Sequence, residues 1–286
     1  MMARAEPDSS REGPPSLRDR LTLLGSSVAR FWRELLLGVA FAGALGFGGV
    51  WGMWQNLCAG DACPSIAQVR TFEHEQKSKV LAIDGRQITE FGFESRTPVS
   101  IRALPDYVAQ AVIAIEDKRF YRHRGFDPIG ITRAAVGVLT FDYAGGGSTI
   151  TQQLARNMFD EIGFERRYIR KLKEVQVALD LERSYTKDQI LEAYLNEIYM
   201  GRGYGFQNAA ASYFGKNATD VNVAEAALLA AILNRPGRYD PFRYPDRAKG
   251  RRDLVLAQMA AQGYLSRDEA TRWQRFPLPE VEPDGN

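Results

Sequence analysis

Adjacent carboxylates at Glu116 and Asp117 close an apolar stripe of helical spacing formed by Val108, Ala111, Val112 and Ile115. A carboxylate at the C-terminal end of a helix meets the negative end of the helix dipole, and apolar neighbours strip it of water. Both effects raise its pKa toward the range useful for general acid/base chemistry. A second segment runs from Gly145 through Gly147, Ser148 and Thr149 to Gln152, Gln153, Arg156 and Asn157. Its glycines, followed by a capping hydroxyl and a helix, would leave backbone N–H groups free for an anion such as phosphate. It is not a Walker A loop, because the Gly-Lys-Ser/Thr ending is missing. In the third segment, residues 165–174, Ile169 and Leu172 mark a buried face that continues to Val175 and Leu179. Arg166, Arg170 and Glu174 recur every four residues on another stripe, with Lys171 beside them. Cations ended by a carboxylate could hold a diphosphate and a divalent ion. Taken singly, the three segments also read as a salt-bridged helix end, a glycine turn and a solvated helix face. If they converge, they suit one reaction: a sugar hydroxyl attacks a sugar carbon whose leaving group is a pyrophosphate.

The elements that must position these groups follow from composition and periodicity. The chain has 286 residues, 45% apolar and 25% charged, so it is globular and has room for one good-sized domain with an appendage. A net charge of +2 gives no ground for bulk nucleic-acid binding, and two His with two Cys exclude a His/Cys-rich zinc site. Of the 37 basic residues 29 are Arg, which suits bidentate contacts to phosphate but also fits a compositional bias. Leu35 to Trp54 is an uncharged run of 20 residues, long enough as a helix to cross a bilayer, with Trp32, Trp51 and Trp54 near its ends. Arg18, Arg20, Arg30 and Arg33 precede it and no basic residue follows until Arg70, which keeps the N-terminus cytoplasmic and exports the rest. The run lies too far from the start, and is too long, for a cleaved signal peptide. Ala40, Ala44, Gly48 and Gly52 form a small-residue stripe within it. Cys58 and Cys63 lie beyond the span, where either a disulfide or free thiols would serve.

Residues 1–20 read as a disordered tail. Alternation on either side of Asp84-Gly85 signals a β-hairpin within Lys79–Phe93. From Pro105 the pattern is helical. Thr186 with Gln189, Asn222 with Glu225 and Ser266 with Glu269 are capping-box pairs, and Gly201 is expected to stop the helix that Thr186 opens. Val136, Val138, Leu139, Phe141 and Tyr143 are expected on a mobile segment that dips into lipid.

The ordered motifs resemble those of the peptidoglycan glycosyltransferases, the family 51 enzymes found alone or as the first module of class A penicillin-binding proteins. The resemblance rests on Glu116-Asp117 with Phe120, His123 and Gly125, Gly147 to Gln153, Arg170-Lys171 with Glu174, and Tyr194 to Asn196 running on to Gly201. Residues 227–236 with Tyr239 and Pro241 resemble a fifth motif, and the likeness covers about residues 79 to 270. It implies a mainly α, lysozyme-like helical domain with a small membrane-proximal lobe, a short β-hairpin at its entrance and one N-terminal transmembrane helix. The chain then divides into a cytoplasmic tail (1–34), the transmembrane helix (35–54), a connector (55–78), the glycosyltransferase domain (79–275) and a C-terminal tail (276–286). The implied substrate is lipid II, polymerised into β-1,4-linked glycan at the cytoplasmic membrane with the catalytic domain outside. Glu116 becomes the general base on the acceptor 4-hydroxyl. Glu174 becomes the second acid, placed at the diphosphate and any divalent cation (Mg2+ or Mn2+); no organic cofactor is implied. Arg156, Arg166, Arg170 and Lys171 would hold pyrophosphate, and Ser148, Thr149, Gln152 and Gln153 would line the cleft. Asp117, Phe120 and His123 would shape the base's surroundings and, with Asn196, are expected with the substrate-binding set. Implied partners are the nascent glycan strand, the bilayer, and transpeptidases or other wall-synthesis membrane proteins.

Two positions depart from the family pattern: Arg156 stands where Lys is common, and Ile232-Leu233-Asn234 where a Gly and a Pro are usual. Ser184 and Lys187 match a transpeptidase Ser-x-x-Lys by chance, without Ser-x-Asn or Lys-Thr-Gly elsewhere, so no cross-linking activity is expected. A glycan-cleaving enzyme using Glu116 as an acid would leave the basic stripe unexplained, and a silent membrane scaffold would not need the two acids.

Overall fold

The computed structural model describes residues 17–59, 63, 78–81, 87–91, 97–139, 147–158 and 167–280. The chain separates into two compact units after Asn56. The first holds a single helix, α1 (Leu17–Asn56). Its stretch Phe31–Asn56 is long and apolar enough to cross a membrane and is not buried against protein. The expected span 35–54 lies inside it. Residues 17–20, read from composition as disordered tail, are instead helical. Leu, Arg and Asp follow the last proline there without a breaker, and joining an established helix avoids the cost of nucleation.

The second unit opens with the Cys58–Cys63 disulfide. β1 (Ser78–Leu81) and β2 (Gln87–Phe91) then pair antiparallel, Ser78 opposite Phe91 and Val80 opposite Thr89, with an irregularity after Val80. These are the two arms of the expected hairpin; its turn lies outside the described residues.

The helices are α2 (Asp106–Glu116), α3 (Pro128–Leu139), α4 (Ile150–Met158), α5 (Arg167–Ser184), α6 (Lys187–Glu197), α7 (Phe206–Phe214), α8 (Val223–Ile232), α9 (Pro245–Ala261) and α10 (Arg267–Gln274). Three start where their capping boxes predict: Thr186, Asn222 and Ser266 each accept from the backbone three residues on, and the Gln or Glu there accepts in return. The resulting chain is mainly helical. Every residue of α8 is buried, as suits a helix whose one polar residue, Glu225, is spent on its own capping box. It forms the core with α2 and α9, while α4 packs on α5 and α6. Glu116 ends the helix that rests on this core.

Gly201 does not terminate α6, which ends at Glu197; it occupies the following turn at φ +87°, where a Cβ would meet the Pro236 ring at 2.9 Å. The segment expected as C-terminal tail is in contact with the domain at its start. Arg252, fully buried, donates to the Gln274 and Phe276 carbonyls at 2.8 and 2.7 Å, and Leu278 packs on the core. Val136 is exposed on a regular helix, α3, whereas Phe141 and Tyr143 and the side chains of Val138 and Leu139 lie outside the described residues.

Candidate active site

Glu116 is the last residue of α2, half-buried. Its Oε2 accepts from Gln153 Nε2 of α4 at 2.9 Å, and its Oε1 is enclosed with no hydrogen-bond partner among the described residues. Burial raises its pKa above the ordinary glutamate value. The Gln153 hydrogen bond and then the Arg251 charge oppose that rise, while the neighbouring Asp117 adds to it. An acid held this way has one oxygen anchored and one free to take a proton.

Asp117 leaves the helical path and its side chain points elsewhere. It accepts from the Ile150 N–H at 3.1 Å and faces His123 Nε2 at 2.9 Å, all buried beside Phe120. This corrects two expectations. The N-terminus of α4, read as an anion site, is already filled by the protein's own carboxylate. Asp117, Phe120 and His123 lock α4 onto the end of α2 and do not line the cleft.

Thr149 and Gln152 are likewise scaffold. Thr149 Oγ1 and Gln152 Nε2 both donate to the Gly125 carbonyl, at 2.8 and 3.0 Å, and both residues are buried. Gly125 has φ +76°, and a Cβ there would lie 2.7 Å from the Ala178 carbonyl oxygen. Only glycine allows α5 to approach that carbonyl hook so closely. Asn196 is spent too: its amide accepts from Val99 N–H at 2.9 Å and donates to Val99 C=O at 3.0 Å, stapling the incoming chain to α6.

The basic residues gather around Glu174 of α5, whose side chain is 2% exposed. Arg156 Nε lies 2.8 Å from it, Lys171 Nζ 3.1 Å and Arg170 Nε 3.7 Å. Lys171 also donates to Ser148 Oγ at 2.7 Å and Gln152 Oε1 at 2.8 Å. Burial foremost lowers the Lys171 pKa, and the charges of Arg156 and Arg170 add to the effect against the pull of Glu174. Three cations share one carboxylate, so the cluster keeps positive charge for an incoming anion. Arg166 lies outside the described residues.

The base and one of the cations, Arg156, open on one cleft of about 330 Å³, lined by Glu116, Ser148, Gln153 and Arg156, with Ile198, Tyr199, Leu233, Asn234 and Pro236 among its other walls. Arg156 and Ser148 are the links, since each bonds directly to the Glu174–Lys171 group. A carboxylate and the edge of a cationic cluster thus share one cavity. The sequence profile of the transglycosylase family matches residues 84–260.

The chain belongs to the transglycosylase family.

Among curated relatives of this transglycosylase chain, penicillin-binding protein 1F of Bacillus subtilis (strain 168) is 46% identical over 199 residues, covering 69% of this chain and 28% of that one. Penicillin-binding protein 1A of Escherichia coli (strain K12) is 40% identical over 227 residues, covering 79% of this chain and 26% of that one. The chain therefore spans about a quarter of the length of such relatives. A crystal structure of penicillin-binding protein 1A from Haemophilus influenzae aligns with 73% of this chain and 22% of its own, at 23% identity and TM-score 0.43.

Two site features of this transglycosylase escape motif reading. Tyr194, fully buried, donates from its hydroxyl to Gln153 Oε1 at 3.1 Å, and the charge of Arg251 on α9 acts on Glu116. Tyr194 lies inside a noted motif, but only the paired helices reveal its target. A divalent cation fits Glu174 poorly. That carboxylate is already compensated by three cations, and the described residues hold no cluster of three His, Cys, Asp or Glu. The donor set suits an anion.

Proposed function

We propose that this transglycosylase polymerises lipid II into β-1,4-linked peptidoglycan strands and releases polyprenyl diphosphate. One observation carries the reading: Glu116 and Arg156 line the same cleft, and Arg156 is bonded to Glu174, which Lys171 also joins. In the reaction, Oε1 takes the proton of the acceptor 4-hydroxyl, and that oxygen attacks the anomeric carbon of the donor. The C1–O bond to the diphosphate breaks as the new glycosidic bond forms, and the electron pair leaves on the diphosphate oxygen. Arg156, Arg170 and Lys171 lower the energy of that departing charge. Glu174 keeps the three cations together in the free enzyme, so no reorganisation is needed when the diphosphate arrives. Arg156, in a position where the family commonly has Lys, brings a planar fork in place of a point charge.

α1 anchors the chain to the cytoplasmic membrane as a single pass. The arginines before Phe31 support a cytoplasmic N-terminus and an extracytoplasmic catalytic unit. The substrate's polyprenyl tail remains in the bilayer, and exposed Ile129 and Val136 on α3 support contact of that segment with lipid. Polymerisation is the activity assigned to these residues, and a transpeptidase is among the proposed wall-synthesis partners.

The test is incubation of the full chain, in detergent or liposomes, with lipid II and separately with finished glycan. Polymer and polyprenyl diphosphate from the first, with no fragments from the second, are expected. Fragments from finished glycan alone would replace this reading with a lytic one.

A further inference from the structure

The hydrogen-bond relay behind the base points to a residue that the proposed reaction depends on without touching the sugar, and the inference rests on that reaction. Glu116 Oε2 accepts from Gln153 Nε2 at 2.9 Å, and Gln153 Oε1 accepts from the Tyr194 hydroxyl at 3.1 Å. The two ends of a glutamine amide have nearly the same shape and opposite hydrogen-bonding character, so Gln153 could in principle turn either end toward Glu116. Tyr194 chooses. Its ring and hydroxyl are sealed from solvent, and Gln153 Oε1 accepts its proton. Turning the amide over would leave the phenolic proton facing an NH2 group and would aim a carbonyl at a carboxylate. Each change costs a buried hydrogen bond.

We propose that Tyr194 is a positioning residue for glycosyl transfer: it holds the Gln153 amide with its NH2 toward Glu116, keeping that carboxylate ionised and leaving Oε1 as the atom that takes the acceptor's proton. Oε2 keeps the same hydrogen bond before and after proton transfer, so the amide need not rotate during the cycle. The charged and titratable groups bearing on this relay are Asp117 at the end of α2, Arg156 on α4, Tyr194 on α6 and Arg251 on α9. Among the influences that oppose the burial of Glu116, the Gln153 bond comes before the Arg251 charge. Tyr194 stays a donor, because burial and the Glu116 charge push its own hydroxyl well above the ordinary tyrosine value.

Tyr194→Phe keeps the ring and removes the hydroxyl. With the amide freed to present its carbonyl, the protonated form of Glu116 gains a partner. The acid limb of kcat/KM against pH should then move up by about one pH unit, a roughly tenfold loss below the limb, with KM for lipid II unchanged and the alkaline plateau nearly recovered. A uniform loss at every pH, or a wild-type profile, overturns the proposal. A second readout needs no turnover: the carboxyl 13C titration of Glu116 in selectively labelled full chain, assigned with Glu116→Gln. Its midpoint should rise in Tyr194→Phe and in Gln153→Leu, and Tyr194→Phe should add nothing in the Gln153→Leu background. Additive shifts, or none in Gln153→Leu, overturn the coupling even if Tyr194→Phe fails to fold. A wild-type chain that polymerises no lipid II sinks the functional reading, while the titration still reads the relay.

Discussion

Glu116→Gln should gain stability as it loses activity, and the two effects share one cause. In the folded chain Glu116 is a carboxylate with one enclosed, unpartnered oxygen, and burial raises its pKa. Between the ordinary glutamate value of 4.5 and that raised value, the folded state keeps a proton that the unfolded chain has released. The protonated acid's share of stability is therefore fully present below pH 4.5 and is lost as pH rises through the folded-state value. Glutamine keeps an oxygen for Gln153 and has no charge to desolvate, so its stability lacks this decline. The expected gain of Glu116→Gln at pH 8 is the cost of ionising that desolvated carboxylate, about 1.4 kcal/mol for each pH unit by which its folded-state value is raised. For a domain of this size each kcal/mol raises Tm by about 2–4 °C. The gain should shrink toward zero near pH 4. Over the same series, lipid II polymerisation at pH 8 should fall by about 10²–10⁴-fold, the usual worth of a general base. Thermal unfolding of wild type and variant from pH 4 to 8, beside initial polymerisation rates, measures both. A variant that is less stable than wild type at pH 8, or one that still polymerises at the wild-type rate, refutes the assignment.

The other expectations concern the scaffold and the cradle. Gly125→Ala should cost at least about 2 kcal/mol in denaturant unfolding, since its Cβ meets the Ala178 carbonyl and its φ is strained for any other residue. Asp117→Ala removes the acceptor of the Ile150 N–H and the partner of His123, and should cost about 2–3 kcal/mol in the same assay. Lys171 sheds its proton at a lower pH than free lysine because it is buried. Polymerisation should therefore decline on the alkaline side, and Lys171→Arg, whose charge persists, should remove that decline in a pH–rate profile even if its overall rate is lower.

Much of the local architecture is legible in the residue pattern because it is fixed within a few residues. Thr186, Asn222 and Ser266 start helices through contacts made three residues away, and the uncharged run before Trp54 states its length directly. The reading of Gly201 as a helix stop fails for the opposite reason. That glycine answers to Pro236, which lies 35 positions further along the chain, and not to its own helix. Residues 17–20 fail because composition is averaged over a window, whereas a helix ends where its own residues allow.

Periodicity identifies the apolar face of each helix, and residue type identifies Glu116, Arg156, Arg170, Lys171 and Glu174 as chemically capable. Which polar neighbours meet a substrate is decided by how distant helices approach one another. Asp117 and Glu116 are adjacent, yet one caps α4 and the other faces the cleft. Thr149 and Gln152 turn to the Gly125 carbonyl and Asn196 to Val99, while Ser148 and Gln153 from the same motif reach the cavity. Chain order by itself determined the long apolar helix, the capped helix starts and the inventory of charges. Only tertiary packing separated working groups from scaffold, because a polar side chain serves whichever unsatisfied partner the fold brings within hydrogen-bond reach.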